Sequence, residues 1–180
     1  MINIDAVDAI SHDVATLGDR GFFPHALRIT SLSDLVRQLT TRIGFSRDLR
    51  RLRIIGHGEP GAQGLGDSYE MDIPARRHVF DSSLAVSADW FMMENLADLF
   101  SPDGWVELHG CNVALGYAGK MYLGRLAQLL HVPVRAGIAP QIGGSRAADE
   151  FLWGQWREAR PLPNGGISYH VFHAFPSHHH

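Results

Sequence analysis

G-W-V-E-L-H-G-C-N, residues 104–112, is the stretch that decides the fold of this chain. Its apolar and aromatic residues predict a strand from Trp105 to Gly110. The strand is followed at once by Cys111, the only cysteine in the sequence. In open α/β sheets, ligands bind beyond the carboxyl ends of the strands, so Cys111 stands where chemistry is expected.

A second strand with a similar ending lies earlier in the chain. Residues 52–58 read L-R-I-I-G-H-G and complete a predicted strand over residues 49–56. His57 follows it and has a glycine on each side, which allows close approach of the backbone. If the two strands are neighbours, an imidazole and the Cys111 thiol meet at one edge of the sheet.

The remaining segments predict alternating strands and helices. The apolar stripe over 31–43 predicts a helix that Ser31 caps and Gly44 ends. The other elements are strands at 2–5, 26–30 and 132–138, a helix that Ser87 caps and Pro102–Gly104 ends, a helix at 115–130, a loop or small hairpin over 58–72, and a terminal hairpin of 151–156 and 167–175. This order predicts an α/β fold with a mostly parallel central sheet and helices on both faces.

Size and composition are those of one globular domain. The chain has 180 residues, of which 45% are hydrophobic and 19% charged, which argues against disorder. We assign residues 1–177 to a single domain and interpret His178–His180 as the remnant of a purification tag. The net charge of −3 argues against nucleic acid as a partner, and the basic run over 47–53 is interpreted as a solvated strand edge.

No membrane or secretory segment is evident. No apolar run approaches the roughly 20 residues that cross a bilayer, and the N-terminus lacks the basic and apolar regions of a signal peptide. A single cysteine forms no internal disulfide. The default expectation is therefore a cytoplasmic protein, unless the chain is exported as a module of a larger protein or as an effector. The oligomeric state is left open.

Cys111 and His57 together predict nucleophilic catalysis. A thiolate is a strong nucleophile, and an adjacent imidazole favours the thiolate and can later protonate a leaving group. The backbone N–H groups of Gly58 and Cys111 are candidates for an oxyanion hole. The plain alternative is that Cys111 is a small buried apolar residue, as many lone cysteines are.

Other interpretations of the same residues are weaker. Gly56, Gly58 and Gly61 spell G-x-G-x-x-G, but the helix that a dinucleotide site needs does not follow. His109, His57 and Cys111 could in principle hold a metal, yet a supporting or packing role for His109 is favoured. The possible supporting residues of the site are His109, Asn112 and Glu59, and the predicted chemistry needs neither a metal nor an organic cofactor.

The two blocks resemble those of a known superfamily. An apolar block ending in His-Gly, followed by one ending in Gly-Cys, is similar to the caspase-like (clan CD) cysteine peptidases, which include caspases, gingipains, clostripain and legumain. More closely, G-H-G-E-P-G-A-Q-G-L-G-D and L-H-G-C-N-V-A-L-G-Y-A-G-K resemble an uncharacterised bacterial domain of that clan, often a module of large surface or repeat proteins. Its patterns run S-H-G-x-P-G-x-x-x-L-G and Y-G-C-N-V-A-x-G-x-x-G. The resemblance covers residues 25–157.

The resemblance implies a caspase-like three-layer fold and a cysteine endopeptidase acting on a peptide or protein substrate, with His57 and Cys111 as the dyad. The sequence departs from the domain's pattern at Gly56, where Ser is usual, and at His109, where Tyr is usual. Two other functions stay open: a catalytically silent module that binds proteins, and a thioesterase or esterase with the same dyad. The P1 preference also stays open, since basic residues (Arg28, Arg135, Arg146) and acidic ones (Asp149, Glu150) could both contribute.

Overall fold

The computed structural model describes residues 1–19, 25–44, 46–65, 92–139 and 154–174. The strands are β1 (Ile2–Asp8), β2 (Leu27–Ile29), β3 (Leu49–Ile55), β4 (Gly58–Glu59), β5 (Ala62–Gln63), β6 (Phe100–His109), β7 (Val134–Gly137), β8 (Gly154–Pro161) and β9 (Ile167–Ala174). The helices are α1 (His12–Asp19), α2 (Leu32–Ile43) and α3 (Gly116–Leu130), with a short 3-10 helix at Ala97–Leu99. None of the helices in the described ranges is long and apolar enough to cross a membrane.

Most of the described strands belong to one central sheet. Its seven strands have the order β2-β1-β3-β6-β7-β8-β9. The first five run parallel, while β8 and β9 pair antiparallel. The prediction of an α/β fold with a mostly parallel sheet is confirmed, and the predicted terminal hairpin proves to be part of that sheet.

Helix α2 follows directly from its sequence. The Ser31 side chain accepts a hydrogen bond from the Asp34 backbone N–H at 3.1 Å, which satisfies one of the free donors of the first turn. Gly44 ends the helix with a φ of 63°, a conformation that glycine adopts without strain. The apolar stripe is buried, so the predicted helix is confirmed together with both of its ends.

The predicted helix before β6 is wrong at its end. Phe100 was expected on a helical face and Pro102–Gly104 as the helix stop, but these residues already belong to β6. Leu49 pairs with Phe100 and Arg51 with Trp105, so β6 carries extra residues at this point and bulges. A proline and a glycine are tolerated in such a bulge, where the regular ladder is interrupted. The predicted cap, Ser87, lies outside the described residues.

Alternate residues of the central strands face two different environments. On one face, apolar residues such as Ile4, Leu52 and Leu108 form the main core together with α2 and α3. On the other face, Val14 of α1 packs on Val7 and Ile55. Helices therefore lie on both faces of the sheet.

The α1 face also carries a row of charged side chains that crosses five strands. We call it the charged row: Asp5, Arg51, Arg53, Glu107, Arg135, Glu158 and Arg160. Its ion pairs include Arg53 with Asp5 at 3.0 Å and Arg135 with Glu158 at 2.7 Å. Because β3 lies inside the sheet, Arg51 and Arg53 are partly buried beside Asp5, whereas Arg50 on the opposite face is exposed. The expected solvated strand edge is therefore wrong for this part of the basic run.

Candidate active site

Strands β3 and β6 bring the two predicted catalytic segments to one edge of the sheet. They are parallel neighbours, and the last paired residues are Ile55 and His109. The Gly56 N–H donates to the His109 carbonyl at 3.2 Å and extends the pairing by one step. His57 and Cys111 each lie two residues beyond the last paired positions, so both follow the ends of adjacent parallel strands.

Two glycines pack against each other just beyond these strands. A Cβ atom on Gly58 would lie 2.8 Å from the Cα and carbonyl carbon of Gly110, and one on Gly110 would lie 2.9 Å from the Gly58 Cα. Both distances are too short for any residue other than glycine. The backbones that carry His57 and Cys111 are therefore in direct contact.

The segment after His57 forms a small hairpin, β4–β5. Gly58 pairs with Gln63 and Glu59 with Ala62, and Gly61 at the turn has a φ of 84°. The Gly61 N–H donates to the Val113 carbonyl at 3.0 Å, which ties the turn to the segment that follows Cys111. The small hairpin, one of two structures expected for 58–72, is confirmed over the described part of that range.

Gln63 is a site residue that the sequence did not reveal. It is fully buried, and its Nε2 donates to the carbonyl of His57 and to that of Gly64, both at 3.2 Å. The Gly64 N–H also donates to the His57 carbonyl at 2.7 Å. The His57 carbonyl thus accepts two hydrogen bonds, one from the Gln63 side chain and one from the Gly64 backbone. Pro60-Gly61 is a turn signal from which the hairpin, and so the position of Gln63 opposite Gly58, could have been derived.

The segment after Cys111 is anchored on β7 and β8. Asn112 adopts a left-handed conformation with a φ of 59°, and its N–H donates to the Ala139 carbonyl at 3.3 Å. Arg157, a β8 residue that the sequence did not single out, donates through Nη1 to the carbonyls of Ala114 at 2.6 Å and Gly116 at 2.9 Å. The turn that follows Cys111 is therefore held by Arg157 of β8 and by the segment after β7.

A cavity of about 200 Å³ opens beside His57. Its lining is formed by His57, Gly58, Glu59, Ala62 and Gly64. The imidazole is exposed and the Cys111 side chain is half-buried, so both groups can be approached from solvent. Among the described residues, no group of three His, Cys, Asp or Glu side chains is arranged to hold a metal ion.

His109 is enclosed by the sheet face. It is 1% exposed, its Nε2 lies 3.5 Å from Glu107 Oε2, and its ring packs edge-on against Trp156 at 5.1 Å. Burial lowers the pKa of His109 below its ordinary value, although the Glu107 carboxylate acts in the opposite direction. These contacts are those of a buried packing residue.

Two of the residues considered for the P1 pocket are described by the structure. Arg28 is exposed on β2, an edge strand of the central sheet. Arg135 lies within the charged row, where Glu158 and Glu107 approach it at 2.7 and 3.7 Å. Arg146, Asp149 and Glu150 lie outside the described residues.

One comparison with known proteins gives a match. A family model described as a domain of unknown function, DUF4347, matches residues 5–156. The matched range includes both loops of the site, that is, the segment after β3 that carries His57 and the segment after β6 that carries Cys111. No curated protein and no solved structure matches the chain.

Proposed function

The chain belongs to the DUF4347 domain family, whose description assigns no activity, and from the site itself we propose that it is a cysteine endopeptidase with His57 and Cys111 as its dyad. The observation that carries the proposal is the shared edge of β3 and β6. Both side chains follow neighbouring parallel strands at equivalent positions, and their backbones touch through Gly58 and Gly110.

The relation to caspase-like peptidases is part of this proposal. Support comes from a parallel sheet with helices on both faces and from the two loops of the resemblance standing on adjacent strands. The order of the parallel strands, β2-β1-β3-β6-β7, reverses between β1 and β3, one strand before the site. The support from topology is that both segments follow the carboxyl ends of parallel strands, where open α/β sheets bind ligands.

The proposed reaction uses only groups of this chain. The His57 imidazole accepts the thiol proton while Cys111 Sγ attacks the carbonyl carbon of the scissile peptide bond. The oxyanion accepts hydrogen bonds from the N–H groups of Gly58 and Cys111. The C–N bond then breaks, His57 protonates the leaving amine, and a thioester to Cys111 remains. Water, losing a proton to His57, attacks the thioester, which releases the carboxylate product and the thiol.

The proposal is tested by covalent labelling. Because Cys111 is the only cysteine, an acyloxymethyl ketone on a peptide can label the chain at one thiol only. We expect one class of P1 side chain to dominate the labelling of the wild type. Cys111→Ala and His57→Ala should both reduce it to background, as measured by intact mass.

A matched control separates the dyad from general histidine loss. His170 is exposed on β9, and His170→Ala should label like the wild type. Labelling that persists in His57→Ala would contradict the dyad. Labelling by acyl thioesters but not by peptides would favour a thioesterase. If neither peptide electrophiles nor acyl thioesters label the chain, a catalytically silent module that binds proteins would be favoured.

A further inference from the structure

The search for a second functional element leads to Gln63, beneath the loops of the site. We propose that Gln63 is the positioning residue that sets the imidazole of His57 against the Cys111 thiol, an inference that rests on the dyad of the proposed function. Gln63 is 0% exposed and contacts both loops. It is shielded from solvent and is not among the residues that line the cavity beside His57, so we expect it to act through its neighbours.

The orientation of the Gln63 amide is dictated by its acceptors. Nε2 lies 3.2 Å from the carbonyl oxygens of His57 and Gly64. Turning the amide over would place its oxygen against two carbonyl oxygens, which repel it. The nitrogen therefore faces the His57 loop.

The amide oxygen consequently faces the Cys111 loop. Gln63 Oε1 is buried, and no described residue donates a hydrogen bond to it. It lies 2.8 Å from the place that a Cβ on Gly110 would occupy, directly before Cys111. A buried acceptor without a donor costs about 1–3 kcal/mol. An apolar side chain of equal length would avoid that cost, so packing alone gives no reason for a glutamine here.

One side chain therefore lies against both segments, beside the contact of Gly58 with Gly110. Its nitrogen fixes the backbone of His57, and its oxygen limits how closely Gly110 approaches. A small displacement of catalytic groups lowers rates strongly, on the order of 100-fold for 1 Å. Gln63 is thus placed to control the coupling of the imidazole and the thiol.

A double-mutant cycle on the alkylation of Cys111 tests the proposal without any substrate. The rate constant for iodoacetamide is measured in wild type, His57→Ala, Gln63→Met and the double variant. We expect Gln63→Met to slow alkylation about tenfold and to have no further effect once His57 is absent. Its melting temperature should stay close to that of the wild type, because the lost hydrogen bonds are offset by removal of the unpaired oxygen.

Gln128→Met is the matched control, since the Gln128 amide also donates to a backbone carbonyl, that of Gly165 at 3.1 Å, away from the site. It should alkylate like the wild type. If Gln63→Met does not fold, Gln63→Glu keeps the side-chain length, places an oxygen against the His57 carbonyl and should slow alkylation in the same way.

An unchanged rate in Gln63→Met, or an equal loss with and without His57, would overturn the inference. Peptide turnover, measured in parallel, separates the two proposals. If the effects of Gln63→Met and His57→Ala on alkylation are not additive but no peptide is hydrolysed, the peptidase is rejected and the role of Gln63 is kept. If peptides are hydrolysed but the two effects are additive, the peptidase is kept and the role of Gln63 is rejected. Equal alkylation of wild type and His57→Ala would reject both.

Discussion

At the scale of single residues, the site depends on the absence of two side chains. Gly58 and Gly110 are in contact through their backbones, and this contact sets the distance between the loops that carry His57 and Cys111. The sequence predicts close backbone approach at the glycines beside His57, but not which segment approaches them. Only the pairing of β3 with β6 shows that each glycine makes room for the other.

Gly58→Ala should therefore damage both stability and labelling. Its Cβ would lie 2.5 Å from Val113 Cγ2 and 2.8 Å from the Gly110 backbone. Overpacking of this kind costs typically 1–3 kcal/mol. We expect the free energy of unfolding in urea to fall by about that amount and labelling of Cys111 to be lost.

Two further variants show which contact is responsible. Val113→Ala removes the side-chain clash but not the backbone clash, so it should not rescue Gly58→Ala. Gly166→Ala meets the Asn164 side chain at 3.1 Å in an exposed turn and should be nearly neutral. Full stability of Gly58→Ala would contradict the close contact described here.

The same scale shows what sequence can and cannot reveal about a site. The placement of His57 and Cys111 after two strand ends could be predicted, because each follows an apolar run, and the pairing of β3 with β6 confirms that placement. The turn signal at Pro60-Gly61 could also predict the hairpin that sets Gln63 opposite Gly58. The hydrogen bonds of the Gln63 amide and its burial could not be predicted, because they depend on how the hairpin packs against the segments around it.

At the scale of elements, the predictions were correct where apolar residues recurred with one helical period along a whole segment. Helix α2 has a continuous apolar stripe and a capping serine, and it forms as expected. The predicted start of β6 was wrong because Pro102 and Gly104 favour turns by local preference, whereas pairing with β3 holds them in a bulged strand. Tertiary pairing overrides local preference there.

Arg157 provides a prediction at this scale, because it joins β8 to the turn after Cys111. Arg157→Met removes two charge-assisted hydrogen bonds to the carbonyls of Ala114 and Gly116. We expect a loss of about 2 kcal/mol in the free energy of unfolding and slower labelling of Cys111, measured as a second-order rate constant.

Arg160→Met is the comparison for this variant. Arg160 lies on the same strand, is half exposed and pairs with Glu158 instead of the loop. It should label at the wild-type rate. Equal labelling rates of Arg157→Met and wild type would show that the anchor does not influence the thiol.

At the scale of the whole molecule, the charged row makes stability depend on pH. Burial would raise the pKa of Glu107, but a hydrogen bond from His109, the charge of protonated His109, a hydrogen bond from Trp105 and the charge of Arg51 lower it to about 2 from its ordinary 4.5. The pKa of Glu158 is also lowered, by Arg135 and Arg160, against the effect of burial. Both carboxylates therefore stabilise the fold in their ionised form.

The sign follows from proton binding. A carboxyl group whose pKa is lower in the folded than in the unfolded protein stabilises the fold at pH values above its unfolded pKa. That contribution is lost as the pH falls through its folded pKa. For Glu107 the window runs from 4.5 down to about 2, and the contribution is at most about 3 kcal/mol. Glu107→Gln should be less stable than the wild type at pH 7, with the difference shrinking below pH 4.5 in urea titrations. A difference independent of pH would show that the carboxylate charge is not involved.

The pairing of β3 with β6 also sets the order in which the site can arise during synthesis. Residues 55 and 109, which pair with each other, are 54 positions apart, and distant parallel pairing is slow to form. At about 5–20 residues per second, the ribosome completes the His57 loop several seconds before Cys111 is added. A nascent or truncated chain that ends before β6 therefore has the imidazole but no thiol, and any reaction of the proposed dyad must wait for the second half of the polypeptide.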